Sequence, residues 1–371
     1  MKKVTMFRKF SIVIFLFLLV AAKAAAQDGA SAREGVLQER IDSLNARIER
    51  MERKTSGWDK LLANLPRVSG YAQLRYQWSD DASSFDIRRV RLDLNGRIYR
   101  DMASYRVQIE FAGSPKIVDA FVRLTPFRQF NVQAGSFKVP FSIENQVAPL
   151  SLGAIDYSMV VQNLVGFSDV CGVNATGRDL GVMAYGGFFG RSGSNVLEYR
   201  VGVFNGTGFA AKDDNKSKDI SAMLTLRPMR NLQITGSYYW GQYAASTSNR
   251  YAPRERWALG GRYDDGSLFV MGEYMRGTTG LEVRDTDFES DGCYVLAGYW
   301  INSKISPVVR YEFFARDCNA RSESMQTNYM AGLNYKPWRH LLVQVNYTRR
   351  TYRRQGQADG NLVGVMVSGI F

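Results

Sequence analysis

The chain has 371 residues and a formal net charge of +13, from 48 Lys and Arg against 35 Asp and Glu. Its 22% of charged residues and its mean hydropathy of -0.25 exclude a bundle of membrane-spanning helices. No long Pro- and Ser-rich linker divides the chain after about residue 66, so we expect one large unit there rather than several domains. The basic surplus is compatible with nucleic acid, anionic lipid or an anionic solute, and composition does not choose among them.

The first 26 residues have the three parts of a secretory signal peptide. An apolar run over residues 10–22 is followed by an A-x-A cleavage site at 24–26. The basic residues that precede the run are Lys2, Lys3, Arg8 and Lys9. The run is shorter than the roughly 20 residues of a membrane-spanning helix, which argues against the alternative of a membrane anchor. We therefore expect export, a mature chain that begins near Gln27, and no nucleic-acid partner.

Residues 27–66 contain an apolar repeat with heptad spacing. Its members are Leu37, Ile41, Leu44, Ile48 and Met51. The intervening positions are mostly polar, so the pattern predicts a periplasmic helix with the seam of a short coiled coil. A helix of this length is marginally stable alone, and attachment to an oligomeric body would supply partners at a high effective concentration. A single amphipathic helix or a frayed spacer is the alternative.

From residue 67 onward the hydrophobic period changes to two. In the first segment Leu74 and Trp78 share one face of a strand, and Gln73 and Arg75 share the other. Sixteen segments repeat this alternation, and most of their connections alternate between short and long. Short turns on one side and long loops on the other are typical of bacterial outer-membrane barrels. The predicted fold is an all-β, 16-stranded antiparallel transmembrane β-barrel over residues 67–371.

Turn chemistry and aromatic residues support this prediction. Pro126, Pro228 and Pro337 fall in predicted short turns, where a residue without an amide hydrogen is tolerated. Aromatic residues near both ends of several strands predict girdles at the two membrane interfaces, in contact with outer-membrane lipid. The terminal Phe371 resembles the insertion signal of outer-membrane proteins. An even strand count places both ends of the barrel on the periplasmic side. The alternative, a secreted soluble β-sandwich, explains only the alternation of apolar and polar residues.

Several short motifs in the barrel region are shared with one protein family. They are an early Arg-rich hairpin, GSFKVPF at 135–141 followed by Glu144, VFNG at 203–206, the Pro-containing turns and the terminal Phe. In these motifs the chain resembles the phosphate-selective porin O and P family. The resemblance implies a homotrimer of Gram-negative outer-membrane barrels, each with a long third loop that folds inward as a constriction, and the connection near 138–178 has that position. Family members carry phosphate on Arg ladders and Lys clusters, whereas this loop offers only Lys138 and Arg178 as cations.

The polar face of the predicted strands carries more Arg than acid. We assign this face to the lumen, because an Arg that faces lipid at mid-depth costs about 2–4 kcal/mol. Cationic side chains along a pore attract anions, so we expect passive diffusion of small anions, phosphate included. The candidate anion-binding residues are Arg75, Arg91, Arg106, Arg200, Arg310 and Lys138. An equal alternative is that these Arg residues pair with lumen acids such as Glu110 and Glu198 and brace the wall.

Other functions receive less support from the sequence. A general porin with weak charge preference and a structural barrel that tethers the outer membrane to the cell wall are the alternatives. An enzyme is not expected, because the single histidine, His340, lies in a predicted short turn. No Cys/His cluster has metal-ligand spacing, so we expect no metal and no cofactor. Export makes disulfides possible, and a Cys293–Cys318 bridge is a hypothesis. The alternatives are that all three cysteines are unpaired or that Cys171 is involved.

Overall fold

The computed structural model describes residues 65–191, 194–209, 212–213, 215–244, 251–280 and 287–371. The chain divides into two compact units, Met1–Leu65 and Pro66–Phe371. The described residues belong to the second unit, with the exception of Leu65. The predicted signal peptide over 1–26 and the predicted helix over 27–66, except for its last two residues, lie outside the described residues.

Sixteen antiparallel strands of the described residues close into one barrel. Consecutive strands pair with each other, and the first strand closes the barrel against the last. The strands are β1 (Arg67–Ser79), β2 (Ser83–Tyr99), β3 (Ala103–Glu110), β4 (Lys116–Leu124), β5 (Asn131–Lys138), β6 (Arg178–Arg191), β7 (Ser194–Phe204), β8 (Asp219–Met229), β9 (Leu232–Ala244), β10 (Tyr251–Asp264), β11 (Leu268–Thr279), β12 (Phe288–Tyr299), β13 (Ile305–Ala315), β14 (Met325–Trp338), β15 (Leu341–Tyr352) and β16 (Gly360–Ile370). Each overlaps a strand predicted from the alternation, so the 16-stranded barrel is confirmed.

The period-two alternation determines which side chains face outward. Leu74 is 57% exposed on the outer surface, whereas its neighbour Gln73 is fully buried inside the barrel. A shift of the pairing by one residue would exchange the two faces of a strand. The apolar outer face and the polar inner face therefore fix the register of each strand, as a barrel in lipid requires.

The two ends of the barrel differ in their connections. One end, which we call the turn end, has short connections and contains both ends of the barrel chain. There the backbone amides of Gly70 and Phe371 donate to each other's carbonyl oxygens at 2.9 and 3.0 Å. The other end, the loop end, has short links at 80–82 and 111–115 and a long connection at 139–177, which we call loop 3.

Two of the three proline segments depart from the prediction. Pro228 and Pro337 lie in the last residues of β8 and β14 rather than in turns, while Pro126 lies in a turn. In both strands the pairing register shifts across the proline. A β-bulge is one of the few sheet positions that accepts a residue without an amide hydrogen, so these strands continue past the proline.

Loop 3 folds into the barrel and carries two short helices, α1 (Ile143–Gln146) and α2 (Met159–Leu164). A third short helix, α3 (Arg321–Ser324), lies between β13 and β14. No helix among the described residues has the length and hydrophobicity that a membrane-spanning helix needs. Phe141, Val160 and Leu164 of loop 3 are each at most 2% exposed, so the apolar side of the loop is buried inside the barrel.

Loop 3 packs against one side of the inner wall. We call this side, the inner face of β9–β14, the packed wall. Its buried apolar side chains are Tyr239, Ala258, Met271, Met275, Tyr294, Leu296, Val308, Phe314 and Met330. The polar face of the strands is assigned to the lumen, from which we expect it to meet water; this is wrong for the packed wall, because an inward-folded loop with an apolar surface covers it.

The hypothesis of a Cys293–Cys318 disulfide is wrong. Both residues, and Cys171, have free thiols. The Cys318 thiol contacts Asp291 Oδ1 at 3.4 Å. Cys293 lies two positions further along β12, which is about 6.6 Å along a strand. A disulfide needs Cβ atoms about 3.5–4.5 Å apart, so Cys318 is beside the wrong residue of β12 for this bond.

Candidate functional site

A cavity of about 590 Å³ lies inside the barrel on the side that loop 3 leaves open. We call it the vestibule. It is lined by the inner faces of β1–β7, by loop 3 residues between 146 and 150, and by Ile370 and Phe371 at the turn end. The cations of this lining are Arg91, Arg106, Arg123, Lys138, Arg178 and Arg200, and its acids are Asp93 and Asp119.

Two arginines of the vestibule share the lining acids. Arg106 Nε donates to Asp93 Oδ2 at 2.8 Å, and its Nη1 is 3.4 Å from Asp119 Oδ2. Arg178 Nε donates to the other oxygen of Asp119 at 2.7 Å. These cations therefore form a continuous ion-pair network along the wall and are largely neutralised by it.

Arg91 is also paired, with an acid next to the vestibule. Its Nε donates to Glu110 Oε2 at 2.8 Å, and both side chains are less than a tenth exposed. Gln108 Oε1 is a further acceptor for Arg91, at 3.4 Å. A buried pair of this kind braces β2 against β3, as the alternative interpretation of the lumen arginines predicts.

The other three cations of the vestibule have neutral acceptors. Arg123 donates to Gln133 Oε1 at 2.9 and 3.1 Å, and Arg200 donates to Gln146 Oε1 at 3.0 Å. Lys138 Nζ donates to two loop 3 carbonyl oxygens at 2.6 and 2.8 Å. None of the three forms an ion pair with an acid in the described part of the chain. We call them the acid-free cations, because no acid of the described residues lies within ion-pair distance of them.

Arg75 and Arg310 lie outside the vestibule and hold loop 3. Arg75 donates to both carboxylate oxygens of Asp86 at 2.9 and 2.7 Å, and to Asp156 of loop 3 at 3.2 Å. Arg310 donates to the backbone oxygen of Asp156 at 2.7 Å and to Glu312 at 3.3 Å. The six sequence-predicted residues therefore separate into four that line the vestibule and two that fasten the loop.

The charge of Asp156 is matched by cations of the wall. Arg88 donates to Asp156 Oδ1 at 2.8 Å, in addition to the contact from Arg75. Burial alone would raise the pKa of the Asp156 carboxyl, but the charges of Arg88 and Arg75 outweigh it and lower the pKa below its ordinary value. The carboxylate is therefore ionised at neutral pH and ties loop 3 to β1 and β2.

Acids of the packed wall bind the helices of loop 3 at their amino ends. Glu273 accepts hydrogen bonds from the backbone amides of Ile143 and Glu144 at 2.7 and 3.1 Å. The hydroxyls of Ser142 and Tyr294 donate to the same carboxylate at 2.8 and 2.9 Å. The first amides of a helix have no partner within it, so a carboxylate there satisfies donors that would otherwise be buried without one.

The second helix is held in the same way. Glu312 accepts from the backbone amide of Met159 at 2.9 Å. Beyond the helix, Arg256 donates to the Leu164 carbonyl and to Asp169 Oδ1, each at 2.6 Å. Burial would raise the pKa of Asp169, but the charge of Arg256 prevails and lowers it. Charged residues of the packed wall therefore act as fasteners of the loop.

A family comparison identifies the barrel. The model of the family described as phosphate-selective porin O and P matches residues 69–369. The chain belongs to this family. Both the family and the closed barrel are those of outer-membrane channels. The predicted family and the predicted outer-membrane location are therefore confirmed. A search of curated proteins found no match.

Solved porins have the same fold at low sequence identity. The anion-selective porin from Comamonas acidovorans has a TM-score of 0.64 and 12% identity, over 82% of this chain and 99% of that chain. OmpT of Vibrio cholerae, in its trimer form, has a TM-score of 0.60 and 14% identity, over 83% of this chain and 100% of that chain. OmpF of Salmonella typhi, in complex with daunomycin, has a TM-score of 0.60 and 14% identity, over 83% of this chain and 98% of that chain. These likenesses show the barrel fold alone.

One buried arginine of this porin was missed by the sequence pattern. Arg254 Nη2 donates to Asp219 Oδ2 at 2.7 Å and to the Tyr239 hydroxyl at 2.6 Å. The alternation places a connection over 241–255 between two predicted strands, whereas the structure has Arg254 within β10. The alternation that continues through this segment was the available signal, since Arg254 and Arg256 share the inner face of β10.

Proposed function

We propose that this porin passes small anions, phosphate among them, by passive diffusion through the vestibule. The observation that carries the proposal is the set of acid-free cations, Arg123, Lys138 and Arg200. The remaining vestibule cations are balanced by Asp93, Asp119 and Glu110, so the guanidinium groups of Arg123 and Arg200 supply a local surplus of positive charge. Such a surplus attracts anions and repels cations within about a Debye length.

The chemistry of these groups suits oxyanions. A guanidinium group presents planar, paired donors that match phosphate and carboxylate oxygens. Arg123 and Arg200 both use amide oxygens as acceptors, and an anion can compete with a neutral acceptor more easily than with a carboxylate. The anion selectivity named for the Comamonas acidovorans porin, which has the same fold, supports the proposal.

Reversal potentials across a planar bilayer test this function. With a KCl gradient, the wild-type channel should show the sign expected for chloride passage, and the preference should weaken as the Debye length falls from about 10 Å at 0.1 M to about 3 Å at 1 M salt. The double variant Arg123→Glu and Arg200→Glu should shift selectivity toward potassium. Arg276→Glu is the matched control, because this arginine lies on the outer face of β11.

Phosphate in the bath separates the proposal from its alternative. Binding at the acid-free cations should reduce the chloride current of the wild type. Anion selectivity without such a reduction identifies a general porin with weak charge preference. A cation-selective wild-type channel would overturn the proposed function.

We also propose that the exported protein is a homotrimer, with residues 1–26 removed and residues 27–66 forming a periplasmic helix. The trimer form described for OmpT of Vibrio cholerae supports the assembly. Phe85 and Ile87 expose 84% and 59% of their surface on β2, where another subunit could cover them. Cross-linking of the full-length protein in outer membranes should give a trimer, whereas a monomer would contradict the assembly.

A further inference from the structure

The vestibule has aromatic rings next to its acid-free cations. Phe121 of β4 and Tyr185 of β6 are half-buried, and both line the vestibule. The Cζ atom of Arg123 is 5.2 Å from the ring centre of Phe121 and 5.8 Å from that of Tyr185. Arg200 is the register partner of Tyr185 on the neighbouring strand. Two cations and two rings therefore share one patch of the inner wall, which we call the ring patch.

One ring of the patch is supported from the core of the porin. Phe121 packs edge-on against Phe137, with ring centres 6.1 Å apart, and Phe137 packs in the same way against Phe204 at 5.6 Å. Phe137 and Phe204 are buried in the core that loop 3 forms with the wall. The position of Phe121 is therefore fixed before a solute arrives, which reduces the entropy lost on binding.

Apolar residues of loop 3 line the same cavity. Pro149 and Leu150 border the vestibule together with the ring patch. The cavity volume of about 590 Å³ lies within the range of about 300–1,000 Å³ that is usual for sites that bind small organic molecules. A channel that only had to attract inorganic ions would gain nothing from these surfaces, since apolar area favours only solutes that bring apolar area of their own.

We propose that the ring patch is a binding site for small aromatic carboxylates. The carboxylate would lie at Arg123 and Arg200, and the ring of the solute would lie against Phe121 and Tyr185. Guanidinium groups bind carboxylates through paired N–H donors, and aromatic rings pack against each other with a preference for offset or edge-on geometry. This inference rests on the proposed anion channel and names a substrate class for it.

Benzoate and acetate are the probes that test the ring patch. They share a carboxylate and differ by the ring, so a comparison between them isolates the contribution of the aromatic wall. With the full-length protein in planar bilayers, benzoate should halve the chloride current at a concentration about tenfold lower than acetate. A tenfold difference corresponds to about 1.4 kcal/mol, which is the scale of one aromatic contact.

Leucine variants assign the preference to the two rings. Phe121→Leu and Tyr185→Leu keep apolar volume but remove the ring, and each should lower the ratio of acetate to benzoate concentration severalfold. Phe188→Leu is the matched control, because Phe188 is a ring of the same strand β6 but is 39% exposed on the outer face. The control should keep the tenfold ratio.

The possible results separate this inference from the proposed function. Equal block by benzoate and acetate in an anion-selective wild type would overturn the aromatic site and leave the anion channel in place. A benzoate preference that survives in both leucine variants would also overturn it, since the rings would then not be its cause. Cation selectivity of the wild type would instead count against the proposed function itself.

Discussion

The two sides of the inner wall use the same residue types for different purposes. On the packed wall, Arg256 and Glu273 are buried, and each contacts loop 3. On the open side, Arg123 and Arg200 are only partly buried and have neutral acceptors. A charge that is buried with a charged or hydrogen-bonding partner therefore serves folding, whereas a partly buried charge with only a neutral acceptor is left for solute passage.

This difference has an energetic basis. A charge that loses contact with solvent is tolerated only with a partner and hydrogen bonds, so every covered charge must be matched. A charge that stays in contact with solvent needs no partner, so its electrostatic field can act on a solute. We therefore expect substitutions on the packed wall to change stability and loop position, and substitutions of the acid-free cations to change ion selectivity.

The largest effect on stability is expected at the Arg256–Asp169 pair. Arg256→Met leaves the Asp169 carboxylate buried without its cation, which typically costs about 3–5 kcal/mol. The residues around Leu164 should then leave the wall. Chemical unfolding of the detergent-solubilised barrel would show a lower midpoint, and chymotrypsin would cleave loop 3 faster.

Arg349→Met is the matched control for this variant. Arg349 pairs with Asp359 at 3.1 Å, but the two side chains are 41% and 38% exposed. Exposed pairs contribute about 0–1 kcal/mol, so the midpoint should hardly change. Equal losses in the two variants would contradict the distinction between covered and uncovered charges.

A smaller effect is expected at Glu273, which receives four hydrogen bonds from groups that include two loop 3 amides. Glu273→Gln replaces one acceptor oxygen with a donor, and each buried donor left unpaired costs about 1–3 kcal/mol. Helix α1 should detach, and the mean single-channel conductance should rise because the lumen widens. Glu255→Gln on the outer face, whose partner is the Tyr238 hydroxyl, should leave conductance unchanged.

The base of loop 3 offers a test of backbone geometry. Gly177 has φ +70°, and a Cβ atom there would lie 2.2 Å from Asn145 Oδ1. The Asn145 side chain donates to the carbonyl oxygens of Val139 and Gly177 at 3.2 and 3.1 Å and so joins the two ends of the loop. Gly177→Ala should cost about 1–2 kcal/mol in backbone strain and weaken this connection as well.

Gly172→Ala separates these two contributions. Gly172 has φ +86°, but no atom lies within 4 Å of a Cβ built there. This variant should show the backbone strain alone. Unfolding midpoints that fall equally in the two variants would mean that the Asn145 connection contributes nothing measurable.

The open side could be predicted from the sequence, because period-two alternation fixes the face of each strand residue. Alternation places Arg91, Arg106 and Arg200 on the lumen face, and all three line the vestibule. The packed wall was less accessible to this reasoning. Met271 and Met275 on the inner face of β11 indicate that something apolar covers them, but alternation does not reveal which segment does so.

The contacts that position loop 3 could not be predicted from the sequence, for a physical reason. Glu273 binds backbone amides of α1, and a backbone amide carries no mark in the sequence of the partner that it will find. Alternation places Glu273 and Glu312 on the inner face of their strands, where both accept hydrogen bonds from the amino ends of loop 3 helices. The sequence therefore predicts that these carboxylates point into the barrel, but not that they bind the helices of loop 3.

The smallest effect is expected from pH, at Glu144 of loop 3. Glu144 Oε2 accepts from the Ser158 amide and hydroxyl at 2.9 and 2.6 Å, while its buried Oε1 has no hydrogen-bond partner in the described structure. Burial raises the pKa of Glu144 to about 7, although Arg310 and Ser158 act in the opposite direction. The other titratable groups that face it are Glu312, Glu273, Tyr294 and Tyr157.

The direction of the pH effect follows from these values. With the loop docked, Glu144 keeps its proton up to about pH 7, whereas in an undocked loop it would lose the proton near its ordinary pKa of 4.5. Docking is therefore most favourable below pH 4.5, weakens as the pH rises to about 7, and is constant above that. Chymotrypsin should accordingly cleave wild-type loop 3 faster at pH 8 than at pH 6, after correction for the enzyme's own pH profile. Glu144→Gln mimics the protonated carboxyl, so loop 3 of this variant should be cleaved at the same slow rate at pH 6 and pH 8. A pH dependence that persists in this variant would assign the effect to another group.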